Sequence, residues 1–163
     1  MSLIVHRIGP ACTIQDQGRV GYLDQGLSRS GAADQLALHE GAALLRQSPG
    51  LAALEMAGMG GEFEATQSLG IALTGAPMQA SIDGAPVVWN ASHQMEAGQR
   101  LVIGAATRGT YGYLHVSGGI ASEAFLGSRS AHLTAKVGST IQTGDTLPVA
   151  DGSGVTGMKL YPD

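Results

Sequence analysis

The chain has 163 residues, a formal net charge of −4 and only 13% charged residues, against roughly 25% in ordinary soluble domains. Its Lys and Arg residues are scattered and form no basic stripe, which excludes nucleic-acid binding driven by phosphate contacts. The single cysteine, Cys12, excludes an intrachain disulfide and favours a reducing cytoplasm.

Few charges and 25 glycines predict a turn-rich β fold in one domain, with part of its surface covered by another chain or domain. A compact, poorly charged monomer is the alternative. No apolar run approaches the ~20 residues of a membrane-spanning helix. The first residues lack a basic segment followed by an apolar stretch and a cleavage site, so we expect no export signal.

The first elements are a strand over residues 3–9 and a helix over about residues 32–47. Between them, glycines punctuate a polar stretch that leads directly into the helix. The helix is predicted from one apolar face formed by Ala33, Ala37, Gly41, Leu44 and Leu45. Ser30 is the predicted N-cap, and residues 48–50 (SPG) end the helix. Gly41 costs about 1 kcal/mol relative to alanine, which close approach to a sheet would offset.

After the helix the pattern predicts strands over residues 51–56, 61–65, 69–75, 78–83, 86–89, 97–104 and 110–118, then a final hairpin over 138–149. The Asp83–Gly84 dipeptide predicts a tight turn. Many short strands with one helix favour a mainly β fold, either a barrel or a sandwich.

Self-contained catalytic motifs are not visible. The histidines are far apart and show no metal-ligand spacing. Cys12 has no neighbour that would activate it, so a buried structural role is favoured. The glycine-rich segments GMGGEF and VSGGI lack the spacing and helix context of a phosphate-binding loop.

Several short polar segments at glycine-rich turns remain. They are residues 15–19 (QDQGR), 28–34 (SRSGAAD), 54–55 (LE), 73–77 (LTGAP), 117–120 (SGGI) and 126–130 (LGSRS). In this order, within residues 4–149, they resemble the allophanate hydrolase subunit 2 family. That family includes carboxyltransferase domains of biotin-dependent urea carboxylase, the C component of 5-oxoprolinase and the Kip anti-inhibitor. The chain departs from the family pattern at Ala33, Ala42 and residues 46–47, and family members continue into a second, related half.

The resemblance implies a cyclophilin-like β-barrel over residues 1–150 with one main helix, and a tail or the start of a second half at 151–163. It also implies a subunit of an amide-processing enzyme, a hydrolase or carboxyltransferase of the 5-oxoprolinase or urea carboxylase type. Such a subunit works in the cytoplasm, in an oligomer with a partner like allophanate hydrolase subunit 1. Its substrates would be urea, allophanate or 5-oxoproline. No covalently bound cofactor is implied, while ATP or carboxybiotin would act in the full assembly. The alternative is a regulatory binding protein like the Kip anti-inhibitor, without turnover of its own.

Candidate site residues follow from the needs of a carbonyl or carboxylate substrate, which requires a cation and aligned donors where negative charge develops. Arg19 and Arg129 would supply a guanidinium, and the remaining roles are a donor, a general acid or base, and backbone amides. The catalytic candidates are Asp16, Arg19, Ser30, Asp34 and Glu55; the substrate-binding candidates are Gly31, Gly75 and Arg129.

Each of these residues also has a structural interpretation. Asp16 would cap its own turn and pair with Arg19. Asp34 would oppose the positive end of the helix, and Glu55 would be a buried acid held by backbone amides. Both interpretations stay open from the sequence. The functional one requires that residues 15–19, 28–34 and 73–77 come together in the fold.

Overall fold

The computed structural model describes residues 1–19, 31–124, 127–131, 138, 140–152 and 157–160. Its helix, α1, spans Gln35–Leu45. The strands are β1 (Ser2–Ile8), β2 (Cys12–Gln15), β3 (Ala53–Ala57), β4 (Gly61–Ala65), β5 (Leu69–Gly75), β6 (Met78–Ile82), β7 (Ala85–Pro86), β8 (Ala91–Met95), β9 (Arg100–Ala106), β10 (Tyr111–Val116) and β11 (Thr146–Pro148). The predicted mainly β fold with one main helix is confirmed for this part of the chain.

The strands form two antiparallel sheets. The first sheet has the order β11-β1-β4-β9-β6-β7, and the second has the order β2-β3-β10-β5-β8. The described strands do not close into a barrel, so the cyclophilin-like barrel is not confirmed. The edge strand β7 has two residues and ends at Pro86, which lacks the N–H that a further strand would need.

The main core lies between the two sheets. Phe63 and Leu101 from the first sheet and Leu54, Leu73 and Leu114 from the second are all fully buried in one cluster. Because side chains alternate along a strand, β10 sends Leu114 into this core, while Tyr113 on the same strand packs in a separate cluster with residues of the helix segment. The helix therefore covers the outer face of the second sheet, where it contacts β5 and β10.

The helix is shorter than predicted. Asp34 is its N-cap and accepts a hydrogen bond from the Ala37 amide at 3.1 Å; the predicted N-cap, Ser30, lies outside the described residues. Ala33 precedes the helix and is exposed, so its place on the buried face was wrong. The helix ends when Arg46 adopts a left-handed conformation, with φ 51°, ahead of the predicted stop.

Gly41 explains how closely the helix approaches the sheet. A Cβ at this position would lie 2.2 Å from two ring atoms of His115 on β10. His115 also approaches Thr74 on β5, with Nε2 and Oγ1 2.7 Å apart, and Thr74 donates to the Ala37 carbonyl. The predicted close approach of Gly41 to a sheet is confirmed.

The predicted strand positions hold for much of the chain, with definite exceptions. The turn at Asp83 and Gly84 is a hairpin, with φ 48° and 83°. The strand predicted at 86–89 is reduced to its β7 portion, and strands β2 and β8 were missed. The predicted final hairpin over 138–149 was wrong, because β11 pairs with β1. No described helix is long and apolar enough to cross a membrane.

Candidate functional site

Asp16 is a buried carboxylate that joins the end of β2 to the segment at residues 127–131. Its Oδ1 accepts hydrogen bonds from Ser128 Oγ (2.5 Å), Ser130 Oγ (2.7 Å) and the Gly18 amide (2.9 Å). Its Oδ2 accepts one from the Arg129 amide at 2.8 Å. Burial works to raise the pKa of Asp16, but these hydrogen bonds outweigh it and hold the pKa below its usual range.

Arg19 and Arg129 lie beside this carboxylate but use their guanidinium groups differently. Arg19 is buried, and its Nη2 donates to the carbonyls of Ser128 (3.2 Å) and Ser130 (2.5 Å). Arg129 is exposed, and its Nε donates to the Ser122 carbonyl at 2.7 Å. Both arginines therefore help to hold the loop around residues 127–131, and their role in substrate binding stays a prediction.

Residues 31–34 lie next to this cluster and connect it to the second sheet. Gly31 has φ 91°, and a Cβ there would lie 2.9 Å from the Gln17 carbonyl oxygen. The Ala32 amide donates to the Asp16 carbonyl at 3.0 Å. One residue further on, the Ala33 amide donates to Glu55 Oε2 at 2.8 Å. Gly31 thus serves the close contact of the two loops.

Glu55, Tyr113 and Asp34 form a second polar cluster. The Tyr113 hydroxyl donates to Glu55 Oε2 at 2.6 Å and accepts the Asp34 amide at 2.9 Å. Burial, then the hydrogen bond and charge of Glu55, raise the pKa of Tyr113 far above its usual value, so the hydroxyl stays protonated. This hydroxyl fixes the residue at which helix α1 begins.

Asp34 also lines an open cleft of about 500 Å³, which we call the Asp34 cleft. Its lining residues are Asp34, Ala76, Pro77, Arg108, Gly109, Thr110 and Tyr111. Gly75, the last residue of β5, precedes this lining. It has φ 79°, and a Cβ there would lie 2.5 Å from the Tyr111 carbonyl oxygen. Residues 31–34 therefore have the Asp16 cluster on one side and the turn after β5 on the other.

The predicted site residues fall into two neighbouring groups. Asp16, Arg19 and Arg129 belong to the first, Asp34, Glu55 and Gly75 belong to the second or border it, and Gly31 lies between them. Ser30 lies outside the described residues.

Other chemistry is limited in the described part of the chain. No three His, Cys, Asp or Glu side chains there are arranged to hold a metal ion. Burial raises the pKa of the Cys12 thiol, which disfavours the reactive thiolate. Burial lowers the pKa of His115 to about 3, so this imidazole is neutral beneath the helix.

The sequence interpretation missed Tyr113 and Arg108. Tyr113 had a signal, since its position on an alternating strand with His115 sets both rings on one face, where they stack with centroids 6.2 Å apart. Arg108 had only a weak one, the neighbouring Gly109, which marks a turn.

The comparisons with known proteins agree on the family. Residues 25–159 match the family described as carboxyltransferase domain, subdomain A and B. The chain is 37% identical over 143 residues to the C component of 5-oxoprolinase from Haemophilus influenzae, covering 85% of this chain and 46% of that protein. It is 33% identical over 148 residues to a putative urea carboxylase of Emericella nidulans, covering 87% of this chain and 12% of that protein.

A solved structure shows the same fold. The crystal structure of the K. lactis urea amidolyase superposes with a TM-score of 0.86 and 25% identity, covering 95% of this chain and 10% of the other. The chain spans about half the length of the bacterial 5-oxoprolinase component that it matches. With most of its residues inside the family match, the chain belongs to the carboxyltransferase domain, subdomain A and B family.

Proposed function

We propose that this chain forms part of an amide-processing enzyme of the 5-oxoprolinase type. The observation that carries the proposal is the 37% identity to the C component of such an enzyme over 85% of the chain. The Asp34 cleft supports it, because a carboxylate and a guanidinium line one open space of about 500 Å³. A carboxylate can accept an amide N–H or move a proton, and a guanidinium stabilises negative charge on an oxygen.

In this proposal each residue group has a distinct task. Asp34 contacts the substrate amide, and the Glu55–Tyr113 pair positions Asp34 through its backbone amide. The Asp16 cluster holds the adjacent loop, with Arg19 buried inside it. The proposal includes a partner like allophanate hydrolase subunit 1, an oligomeric assembly, a cytoplasmic location and a cyclophilin-like arrangement of the whole protein.

ATP does not fit the glycine-rich turns of the described residues. The Gly58 and Gly60 amides donate to the carbonyls of Thr110 and Gly104, and the Gly118 amide donates to Gln47 Oε1. Amides already used inside the fold are not available to cradle phosphates. ATP would therefore be held elsewhere in the full assembly.

Carboxybiotin is the group that a urea carboxylase version of this function would use, and the putative urea carboxylase relative favours that second candidate. Arg108 and Tyr111 in the Asp34 cleft have the chemistry to hold a carboxylate and a flat ring. When bound, the group would supply a carboxyl for transfer to an amide nitrogen.

The test of the proposed function is a reconstituted assembly. The chain is purified with a partner of the allophanate hydrolase subunit 1 type and supplied with 5-oxoproline and ATP, and glutamate is measured. Glutamate is expected, and Asp34→Asn should lower its rate while Asp151→Asn, an exposed matched change, should not. A stable complex that forms no glutamate would contradict the 5-oxoprolinase version; carboxylation of urea by a biotin-loaded assembly would then support the second candidate.

A further inference from the structure

The Asp34 cleft contains two opposite charges that do not neutralise each other. Asp34 and Arg108 both line it. The ion pairs among the described residues join His6 to Glu64 and Arg100 to Glu62 and Glu64. Arg108 takes part in none of them, and its exposed guanidinium makes no side-chain hydrogen bond within the described part of the chain. The cleft therefore presents one cation and one carboxylate to a ligand.

The backbone that carries Arg108 is fixed to the opposite turn. Thr107 donates to the Pro77 carbonyl from its amide (2.9 Å) and its hydroxyl (3.2 Å). The Ala76 amide donates to the Tyr111 carbonyl at 2.9 Å. Between these bonds, Gly109 has φ 70°, and a Cβ there would lie 3.1 Å from Ala76 Cβ. The guanidinium thus extends from a preorganised turn, which lowers the entropy cost of binding.

The carboxylate of Asp34 is held with one oxygen to spare. Oδ1 caps the helix through the Ala37 amide, and the Asp34 amide is anchored on the Tyr113 hydroxyl. Oδ2 accepts no hydrogen bond from the other described residues. An N–H group of a ligand is the natural partner for such an oxygen, because a ligand carboxylate at the same position would be repelled.

We propose that the Asp34 cleft recognises a small amide that also carries a carboxylate, with Arg108 binding the carboxylate and Asp34 Oδ2 accepting the amide N–H. Tyr111, which is 40% exposed, and Pro77 cover the apolar part of the ligand. This inference rests on the proposed function and names the substrate class within it. A neutral amide such as urea would leave Arg108 without a partner, whereas a lactam acid such as 5-oxoproline engages both charges.

The test is a binding titration of the full 163-residue chain with three probes: L-5-oxoproline, 2-pyrrolidinone, which is the same lactam without the carboxylate, and urea. We expect 5-oxoproline to bind most tightly. Arg108→Gln should weaken 5-oxoproline binding about tenfold, as expected for a charge-assisted hydrogen bond, and leave 2-pyrrolidinone binding unchanged. Asp34→Asn should weaken both lactams. Arg7→Gln, a matched change at an exposed arginine on β1, should alter neither.

Each contrary outcome has a separate meaning. If 5-oxoproline binds equally well to the Arg108→Gln variant, or no better than 2-pyrrolidinone, Arg108 is not the carboxylate anchor and the inference is overturned, while the amide-processing function stands. If no probe binds the chain and the reconstituted assembly forms no glutamate, the inference and the 5-oxoprolinase version of the proposed function fail together. Higher salt should also weaken 5-oxoproline binding more than 2-pyrrolidinone binding, because only the former uses an exposed ion pair.

Discussion

Replacement of Gly41 by alanine should destabilise this protein, although alanine is the better helix former. In an exposed helix interior the change from glycine to alanine favours folding by about 1 kcal/mol. At Gly41 the added Cβ would lie 2.2 Å from two ring atoms of His115 and 2.3 Å from a third. These separations are far below the roughly 3.5–4.0 Å of a favourable carbon contact.

The ring of His115 cannot easily move away. It is buried, stacks on Tyr113 at an interplanar angle of 29°, and is hydrogen bonded to Thr74. Overpacking of such a site typically costs about 1–3 kcal/mol. After the helix preference of alanine is allowed for, we expect a net loss of about 1–2 kcal/mol and a fall in Tm of about 2–8 °C for a chain of this length.

The assay is thermal and urea unfolding of Gly41→Ala beside two companions. Ala43→Gly, at an exposed position of the same helix, should lose about 1 kcal/mol through helix propensity alone. Once His115→Ala has removed the ring, Gly41→Ala should become neutral or stabilising, and the difference between the two backgrounds measures the contact. A raised Tm for Gly41→Ala in the otherwise unchanged protein would refute the reasoning.

Three further predictions concern buried polar groups. Asp16→Asn should cost about 1–3 kcal/mol, because an amide NH₂ would face donors instead of accepting from them; urea unfolding measures it. Tyr113→Phe should cost a similar amount, because the Asp34 amide and Glu55 Oε2 both lose a partner, and hydrogen exchange at Asp34 should accelerate. His115 should make stability fall with pH between about 6.5 and 3, since its folded pKa lies below its unfolded value; the slope should approach about 1.4 kcal/mol per pH unit, measured by unfolding at each pH.

Controls separate these effects from general damage. The pKa of Asp16 is lowered in the folded chain, so its contribution is present above its unfolded value of 3.8 and is lost as the pH falls below it. Asp16→Asn should therefore reduce the acid sensitivity below pH 3.8, and an unchanged acid limb would contradict the assignment. For His115, replacement by Gln should flatten the slope above about pH 4, and NMR should show an imidazole that stays neutral there.

The sequence was most informative where one local pattern dominates. The Asp83–Gly84 pair adopts left-handed φ values at both residues, which few other dipeptides tolerate. The helix was recognised from its apolar period, but its start was not, because Ala33 continues that period while Asp34 takes the capping role. A hydrogen bond to the Ala37 amide, and not hydrophobicity, decides where the helix begins.

Strand pairing was less accessible than strand position. The hairpin predicted at 138–149 was wrong because β11 pairs with β1, with Leu3 opposite Leu147. Strand β8 carries Ser92, His93 and Gln94, so its composition gave little sign of a strand. Its place was set by pairing with β5, a long-range contact that local propensity does not contain.

The candidate site illustrates the same limit more sharply. Asp16 and Ser128 are 112 residues apart in the chain, yet their side chains are hydrogen bonded. No periodicity or turn signal connects such positions, and a resemblance to a family can only indicate that both matter. The structure adds a physical division of labour: Asp16 has its oxygens filled by donors and acts as a clamp, while Asp34 keeps an oxygen available at the cleft. An aspartate saturated by donors from its own chain is suited to holding a loop, and one with an oxygen to spare is suited to holding a substrate. That difference places the chemistry of this fold at the helix N-terminus and makes Asp34, with Arg108 opposite, the pair whose replacement most directly tests what the protein binds.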